Sequence, residues 1–130
     1  MGEIRALVGT TDLERSSAFF RNLFGFPVAE QWDDADGRGT LFRAGDRGVI
    51  EVIEGSPGHP AEPPRGVRVV VEVSDVDRLH QRVREAGIEI VEPPTDRPWG
   101  HRTFEIRDPN GLLIVLFAVL PYAESAAARR

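Results

Sequence analysis

The sequence predicts an α+β fold in which two βαβββ modules form a single domain. A strand pattern followed by a helix pattern occurs twice, and each helix pattern begins at an aspartate and stops at a glycine. The two aspartates, Asp12 and Asp75, stand 63 residues apart, and so do Arg5 and Arg68 in the strands before them. A fixed offset between similar segments is the signature of an internal repeat. We therefore expect two copies of one unit.

The first module is predicted from alternation, helix caps and one tight turn. Residues 4–10 alternate in polarity, as a half-buried strand does. Asp12 is a suitable N-cap and Gly25 a suitable stop for the helix between them. Residues 40–55 contain two strand patterns joined by a Gly-Asp turn. The apolar stripe of the helix comprises Leu13, Phe20, Leu23 and Phe24.

The second module repeats this order. Residues 67–73 predict a strand, and Asp75 caps a helix that stops at Gly87. The segment 88–94 is expected to be a short strand that leads into a turn at its two prolines. A hairpin is expected from residues 101–108 and 112–119 around Pro109, Asn110 and Gly111. The apolar stripe of the helix comprises Val76, Leu79, Val83 and Ala86.

The module boundaries follow from local composition. Module 1 should span about residues 3–55 and module 2 about residues 66–120. Residues 56–65, between them, are rich in proline and glycine and predict a linker. Residues 121–130 are expected to form a frayed tail.

Composition limits the chemistry that the chain can perform. Its 130 residues carry a net charge of −5, which argues against a nucleic-acid partner. Every basic residue is arginine, which excludes a lysine Schiff base, and the absence of cysteine excludes disulfides and thiolate chemistry. No apolar run reaches about 18 residues and no leader pattern opens the chain. We expect a cytoplasmic protein with no membrane partner.

Strand parity indicates which charged side chains point away from the helices. Arg5 shares one face of its strand with Leu7, and Arg68 shares the matching face of the repeated strand with Glu72. Glu51 interrupts an apolar run in the first hairpin. These charges could belong to the solvated faces of ordinary antiparallel sheets. The equivalent positions of the two arginines favour a shared concave surface instead.

The sequence also resembles the vicinal oxygen chelate superfamily, which includes glyoxalase I, bleomycin-resistance proteins and extradiol dioxygenases. The resemblance covers about residues 4–119 and is carried by "TTDLERSSAFFRNLFGF", "VSDVDRLHQRVREAGIEIVEPP" and "PWGHRTFEIRDPNGLLIVLF". It implies curved mixed sheets around a cavity, with the helices on the outer face. It also implies a homodimer.

The resemblance assigns the ligand positions of the metal-dependent members to four residues of this chain. Only one of the four could bind a cation, because a guanidinium offers no acceptor and a catalytic ion typically needs about three protein ligands. The positions are those of Arg5, Glu51, Arg68 and Val115. The sequence therefore predicts no metal and no other cofactor. Glu51 would act as a general base only if the protein were an enzyme.

The histidines and tryptophans leave alternatives open. His101 could hydrogen-bond a ligand at the mouth of the cavity or hold its own loop. His80 is interpreted as a structural or surface residue, and His59 lies in the linker. Trp99 could plug the core or stack on a flat ligand, and Trp32, before the polar "DDADGRG" loop, could also stack.

The expected function is metal-independent binding of a small aromatic molecule, resembling that of drug-sequestering, antibiotic-resistance proteins. Two arginines near one glutamate would leave an excess positive charge that favours an anionic ligand. The alternatives are a superfamily enzyme with an atypical site (a glyoxalase-like lyase or isomerase, or a dioxygenase) and a regulatory or interaction module with a vestigial cavity. The candidate ligand-binding residues are Arg5, Glu51, Arg68, Trp99, His101 and Trp32.

Overall fold

The computed structural model describes residues 3–55 and 61–121, and it divides the chain into two compact units between Pro64 and Arg65. Within the described residues, each unit has the element order βαβββ. The predicted fold class of two βαβββ modules is confirmed. Neither helix in these ranges is long and apolar enough to cross a membrane.

The first unit has one helix against a four-stranded sheet. The strand order is β1-β4-β3-β2, with β1 parallel to β4 and the other neighbours antiparallel. The helix packs on β3 and β4. The elements are β1 (Ile4–Thr10), α1 (Leu13–Phe24), β2 (Val28–Asp34), β3 (Gly37–Ala44) and β4 (Gly48–Glu54).

The second unit repeats this topology. The strand order is β5-β8-β7-β6, and β5 is parallel to β8 while the remaining neighbours are antiparallel. The elements are β5 (Arg68–Glu72), α2 (Val76–Glu85), β6 (Ile90–Asp96), β7 (His101–Arg107) and β8 (Leu113–Val119).

Both helices begin at the predicted caps. The carboxylates of Asp12 and Asp75 each accept a hydrogen bond, at 3.1 Å, from a backbone N–H three residues further along the chain. These bonds satisfy donors that the first helical turn cannot. The helix α1 ends at Gly25, whose φ of 68° lies in the left-handed region that favours glycine.

The two helices use different chemistry to pack on their sheets. In the first unit, buried hydroxyls join α1 to the sheet: Thr10 contacts Ser16 at 2.7 Å, and Ser17 donates to Thr40 at 3.1 Å. In the second unit, the imidazole of His80 on α2 packs edge-on against the phenyl ring of Phe104 on β7, with ring centroids 5.4 Å apart. In the second unit, Thr10, Ser16 and Ser17 are replaced by Val73, Leu79 and His80. By strand register, Thr40 is replaced by Phe104. His80 therefore packs on the core of its unit.

Two expected loops are strands. Most of the "DDADGRG" segment forms a tight hairpin, since Asp34 pairs with Gly37, and Trp32 lies inside β2. The strand β6 continues through Pro93 and Pro94, where a turn was expected. Because β6 is an edge strand with an irregular register, the missing N–H groups of the prolines are tolerated.

Parts of three sequence predictions lie outside the described residues. These are residues 56–60 of the linker, His59 within them, and residues 122–130 of the tail.

Candidate functional site

Each sheet has an open face, by which we mean the face opposite its helix. In the first unit, the strand register places Leu7, Leu41 and Glu51 side by side on this face, with Arg5 and Trp32 on neighbouring rows. The first unit therefore brings three of the predicted site residues, Arg5, Glu51 and Trp32, onto one surface.

All three nitrogens of the Arg5 guanidinium donate to carboxylates. Its Nη1 donates to Oε1 of Glu51 at 2.5 Å, its Nε donates to Glu3 at 2.7 Å, and its Nη2 also donates to Glu3. The hydrogen bond to Glu51, followed by that to Glu3, raises the pKa of Arg5 above its usual value. The Glu51 side chain is only 14% exposed. Its carboxylate is thus held by an ion pair on a largely covered surface.

The second unit pairs its open-face arginine with a glutamate that the sequence analysis missed. Arg68 Nε donates to Oε1 of Glu105 at 2.7 Å. The Glu105 side chain is 12% exposed, whereas that of Arg68 is 57% exposed. Glu105 lies directly across from Val115, the position at which the repeat would have placed the acid.

The two units therefore build similar ion pairs from different strands. Glu51 lies on β4 beside Leu41 of β3, whereas the equivalent strands of the second unit carry Val115 on β8 beside Glu105 on β7. The expected excess of positive charge around one glutamate is wrong, because each arginine has a carboxylate partner in its own unit.

Trp32 packs across a glycine of the neighbouring strand. A β-carbon added to Gly39 would lie 2.3 Å from Cζ2 of Trp32 and 2.7 Å from the carbonyl oxygen of Val52. The close approach requires glycine at this position. Trp32 is half-buried, so part of its ring remains accessible on the open face.

His101 holds its own loop through its backbone, while the predicted hydrogen bond from its side chain to a ligand stays a prediction. Its carbonyl oxygen accepts a hydrogen bond from the backbone N–H of Arg97 at 2.7 Å, which closes the turn between β6 and β7. Its imidazole stacks on Phe117, with ring centroids 4.4 Å apart and planes inclined by 20°. Register places both rings on the open face of the second unit, where both are half-buried.

Trp99 is exposed at the turn between β6 and β7. Its relative exposure of 63% shows that the interpretation as a core plug is wrong. The guanidinium of Arg97 lies 5.9 Å from the centre of its ring, within range of a cation–π interaction. Arg97 is itself held by Glu92 at 2.7 Å and by Thr103 at 2.9 Å.

The donor chemistry of these residues does not fit a divalent cation. At the positions that the resemblance assigns to metal ligands, Arg5 donates to Glu51, while Arg68 and Val115 offer no lone pair suited to a cation. Across residues 3–55 and 61–121, no three histidine, aspartate or glutamate side chains converge. The carboxylates of Glu51 and Glu105 instead neutralise guanidinium groups.

Known structures share this architecture. TioX from Micromonospora sp. ML1 is 28% identical, with a TM-score of 0.70 over 92% of this chain and 100% of that chain. A glyoxalase/bleomycin resistance protein/dioxygenase from Nocardioides is 29% identical, with a TM-score of 0.67 over 90% and 82% of the two chains. TnmS3, an antibiotic binding protein from Streptomyces sp. CB03234, is 24% identical, with a TM-score of 0.73 over 92% and 96%.

Sequence comparison leads to the same group of proteins. The uncharacterized protein YraH of Bacillus subtilis (strain 168) is 27% identical over 128 residues, which cover 91% of this chain and 97% of YraH. The profile of one superfamily matches residues 4–116, which is most of the chain. The resemblance noted from the sequence is confirmed, and the chain belongs to the glyoxalase/bleomycin resistance protein/dioxygenase superfamily.

Proposed function

We propose that the protein binds a small aromatic organic molecule without a metal ion, as a drug-sequestering resistance protein does. One observation carries this proposal: the carboxylate of Glu51, the only acidic residue at the assigned ligand positions, accepts a hydrogen bond from Arg5 at 2.5 Å. A carboxylate neutralised by a guanidinium is a poor cation ligand. Sequestration needs affinity and no catalytic group, so it is compatible with such a site.

The aromatic side chains support a flat ligand. Trp32, Phe117 and His101 each leave part of a ring accessible on an open face, and Trp99 is exposed at a turn. Aromatic rings recognise flat ligands by offset or edge-on stacking. TnmS3, which shares the fold, is itself an antibiotic binding protein. The fold that positions these aromatic side chains in this chain is also the fold of TnmS3.

An enzymatic role has less support. Glu51 is a poor general base because its carboxylate is engaged by Arg5. Nothing in the described part of the chain favours a lyase, isomerase or dioxygenase reaction over binding. We therefore advance binding alone.

A homodimer and a cytoplasmic location belong to the same proposal. The strands β1 and β5 each lie at the edge of a sheet and expose large apolar side chains. Exposed edge strands favour association with another chain. The side chains are Ile4 and Leu7 on β1, Val70 within β5, and Val67 just before β5.

The experiment is a titration of the purified protein with a panel of flat heteroaromatic antibiotics, in which tryptophan fluorescence reports binding. We expect saturable quenching that a metal chelator does not change, and mass spectrometry should recover the bound compound chemically unaltered. A Trp99→Phe variant separates the signals of the two tryptophans. Binding that disappears with chelator and returns with one divalent ion, or conversion of the compound, would contradict the proposal.

A further inference from the structure

The two open-face arginines differ in how many of their donors are used. Arg5 has Nε, Nη1 and Nη2 bonded to Glu3 and Glu51. Arg68 has only Nε bonded, to Glu105, and within the described ranges its two terminal nitrogens have no partner. The guanidinium of Arg68 therefore keeps a pair of parallel donors available, while that of Arg5 does not.

The free donors of Arg68 are oriented by a largely covered carboxylate. Glu105 is 12% exposed and fixes Nε of Arg68 at 2.7 Å, which limits the rotation of the guanidinium plane. Arg68 itself is 57% exposed, so a ligand in solution can reach its terminal nitrogens. Two parallel N–H donors match the two oxygens of a carboxylate.

An apolar surface adjoins this guanidinium. Arg68 pairs with Leu113 and Glu105 pairs with Val115, so their ion pair reaches from the Leu113 row to the Val115 row of the open face. Phe117, with His101 stacked on it, lies two residues beyond Val115 along β8, a distance of about 7 Å in a strand. Glu72 pairs with Phe117 at the far end and would repel an anion there. A ligand with an anionic group is therefore expected to place that group at Arg68 and its apolar part toward Phe117.

We propose that the ligand is an aryl carboxylate: its carboxylate binds the terminal nitrogens of Arg68, and its ring lies against Phe117 and His101. The inference rests on the proposed function, which it refines by naming the chemical class of the ligand and the unit that binds its anionic group. In Arg5 both terminal nitrogens already bond to carboxylates, so no such unengaged pair is left for this role.

The test compares 2-naphthoate with 2-naphthamide, which have the same ring system but differ in charge. Calorimetric titration should show that the wild type binds the carboxylate about threefold to tenfold more tightly, the range expected for hydrogen bonds from a half-exposed charged group. Arg68→Gln should equalise the two affinities without weakening naphthamide binding. Arg68→Lys keeps the charge but loses the paired donors, and should retain only part of the preference.

Arg107→Gln is the matched control, because it removes one positive charge from the same open face, where Arg107 pairs with Glu89 at 2.7 Å. It should keep the full preference. If Arg68→Gln does not fold, naphthoate should still shift the NMR signal of Arg68 Nε in the wild type, identified by its absence in Arg68→Lys. Equal affinities in the wild type, an unshifted signal or an equal loss in Arg107→Gln would overturn the inference but leave aromatic binding standing. Failure of both probes to bind would overturn the inference and count against the proposed function.

Discussion

Replacing Gly39 with alanine should destabilise the first unit, because Trp32 occupies the space that a β-carbon needs. The added carbon would lie 2.3 Å from Cζ2 of Trp32 and 2.7 Å from the carbonyl oxygen of Val52. Carbon atoms in ordinary contact are about 3.5–4.0 Å apart, so the indole ring would have to retreat by more than about 1 Å. Overpacking of this kind costs about 1–3 kcal/mol.

Urea unfolding followed by circular dichroism measures this cost, and a double-mutant cycle with Trp32→Ala assigns it. Without the indole ring, the Gly39→Ala substitution should cost less, since only the contact with the Val52 carbonyl remains. The alanine also restricts the unfolded chain, which offsets about 0.4–1 kcal/mol of the loss. The packing of this ring on the glycine would be refuted if Gly39→Ala cost the same free energy of unfolding with and without Trp32. It would also be refuted if Gly39→Ala made the protein that retains Trp32 more stable.

Four further predictions concern the other features of the chain. Burial raises the pKa of Asp108 in the folded protein. The stability that the protonated carboxyl contributes is therefore complete below the pKa of the unfolded chain and is lost as the pH rises through the pKa of the folded state. The amide oxygen of Asp108→Asn can still accept from the two backbone N–H groups, so the melting temperature of this variant should rise relative to that of the wild type as the pH rises, and a difference that does not change with pH would contradict this. Trp99→Ala should change the free energy of unfolding by less than about 0.5 kcal/mol because the ring is exposed, yet it should weaken binding of flat compounds; a large loss of stability would make the ring structural. Elemental analysis of the purified protein should find no stoichiometric divalent ion, and one zinc, nickel, iron or manganese per chain, lost in Glu51→Ala, would overturn the metal-free interpretation. Light scattering should give a dimer at micromolar concentration, and a monomer would remove dimerisation from the proposal.

The elements with local chemical signals could be predicted from the sequence. The helix starts at Asp12 and Asp75 followed from capping chemistry, because the side chain and the N–H that it binds are neighbours along the chain. The path of β6 through Pro93 and Pro94 could not be predicted in this way. Whether a strand tolerates proline depends on whether it lies at a sheet edge, and that is a property of the assembled sheet.

The candidate site was only partly predictable for the same reason. Arg5 was found because alternation places it on the face away from the helix, and Glu51 was found because it interrupts an apolar run. Glu105 was missed because the repeat was compared position by position, and its equivalent in the first unit is Leu41. Cross-strand register decides which carboxylate an arginine meets, and register becomes visible only once the strands are paired. The role of Gly39 beneath Trp32 was hidden for the same reason.

The buried hydroxyls of the first unit also bear on how the chain avoids misassembly while it folds. Because the two units share one topology, α2 could in principle dock on the sheet meant for α1, either within a chain or between chains during synthesis. Such an exchange would set Leu79 and His80 in the places of Ser16 and Ser17. Thr10 and Thr40 would each lose a buried hydroxyl partner, and Thr10 would keep only its bonds to the backbone of Asp12. Each intramolecular hydrogen bond lost in this way costs about 0.5–1.5 kcal/mol. The hydroxyl pairs thus favour α1 over α2 on the first sheet, and they disfavour the exchange of helices between the two similar units during folding.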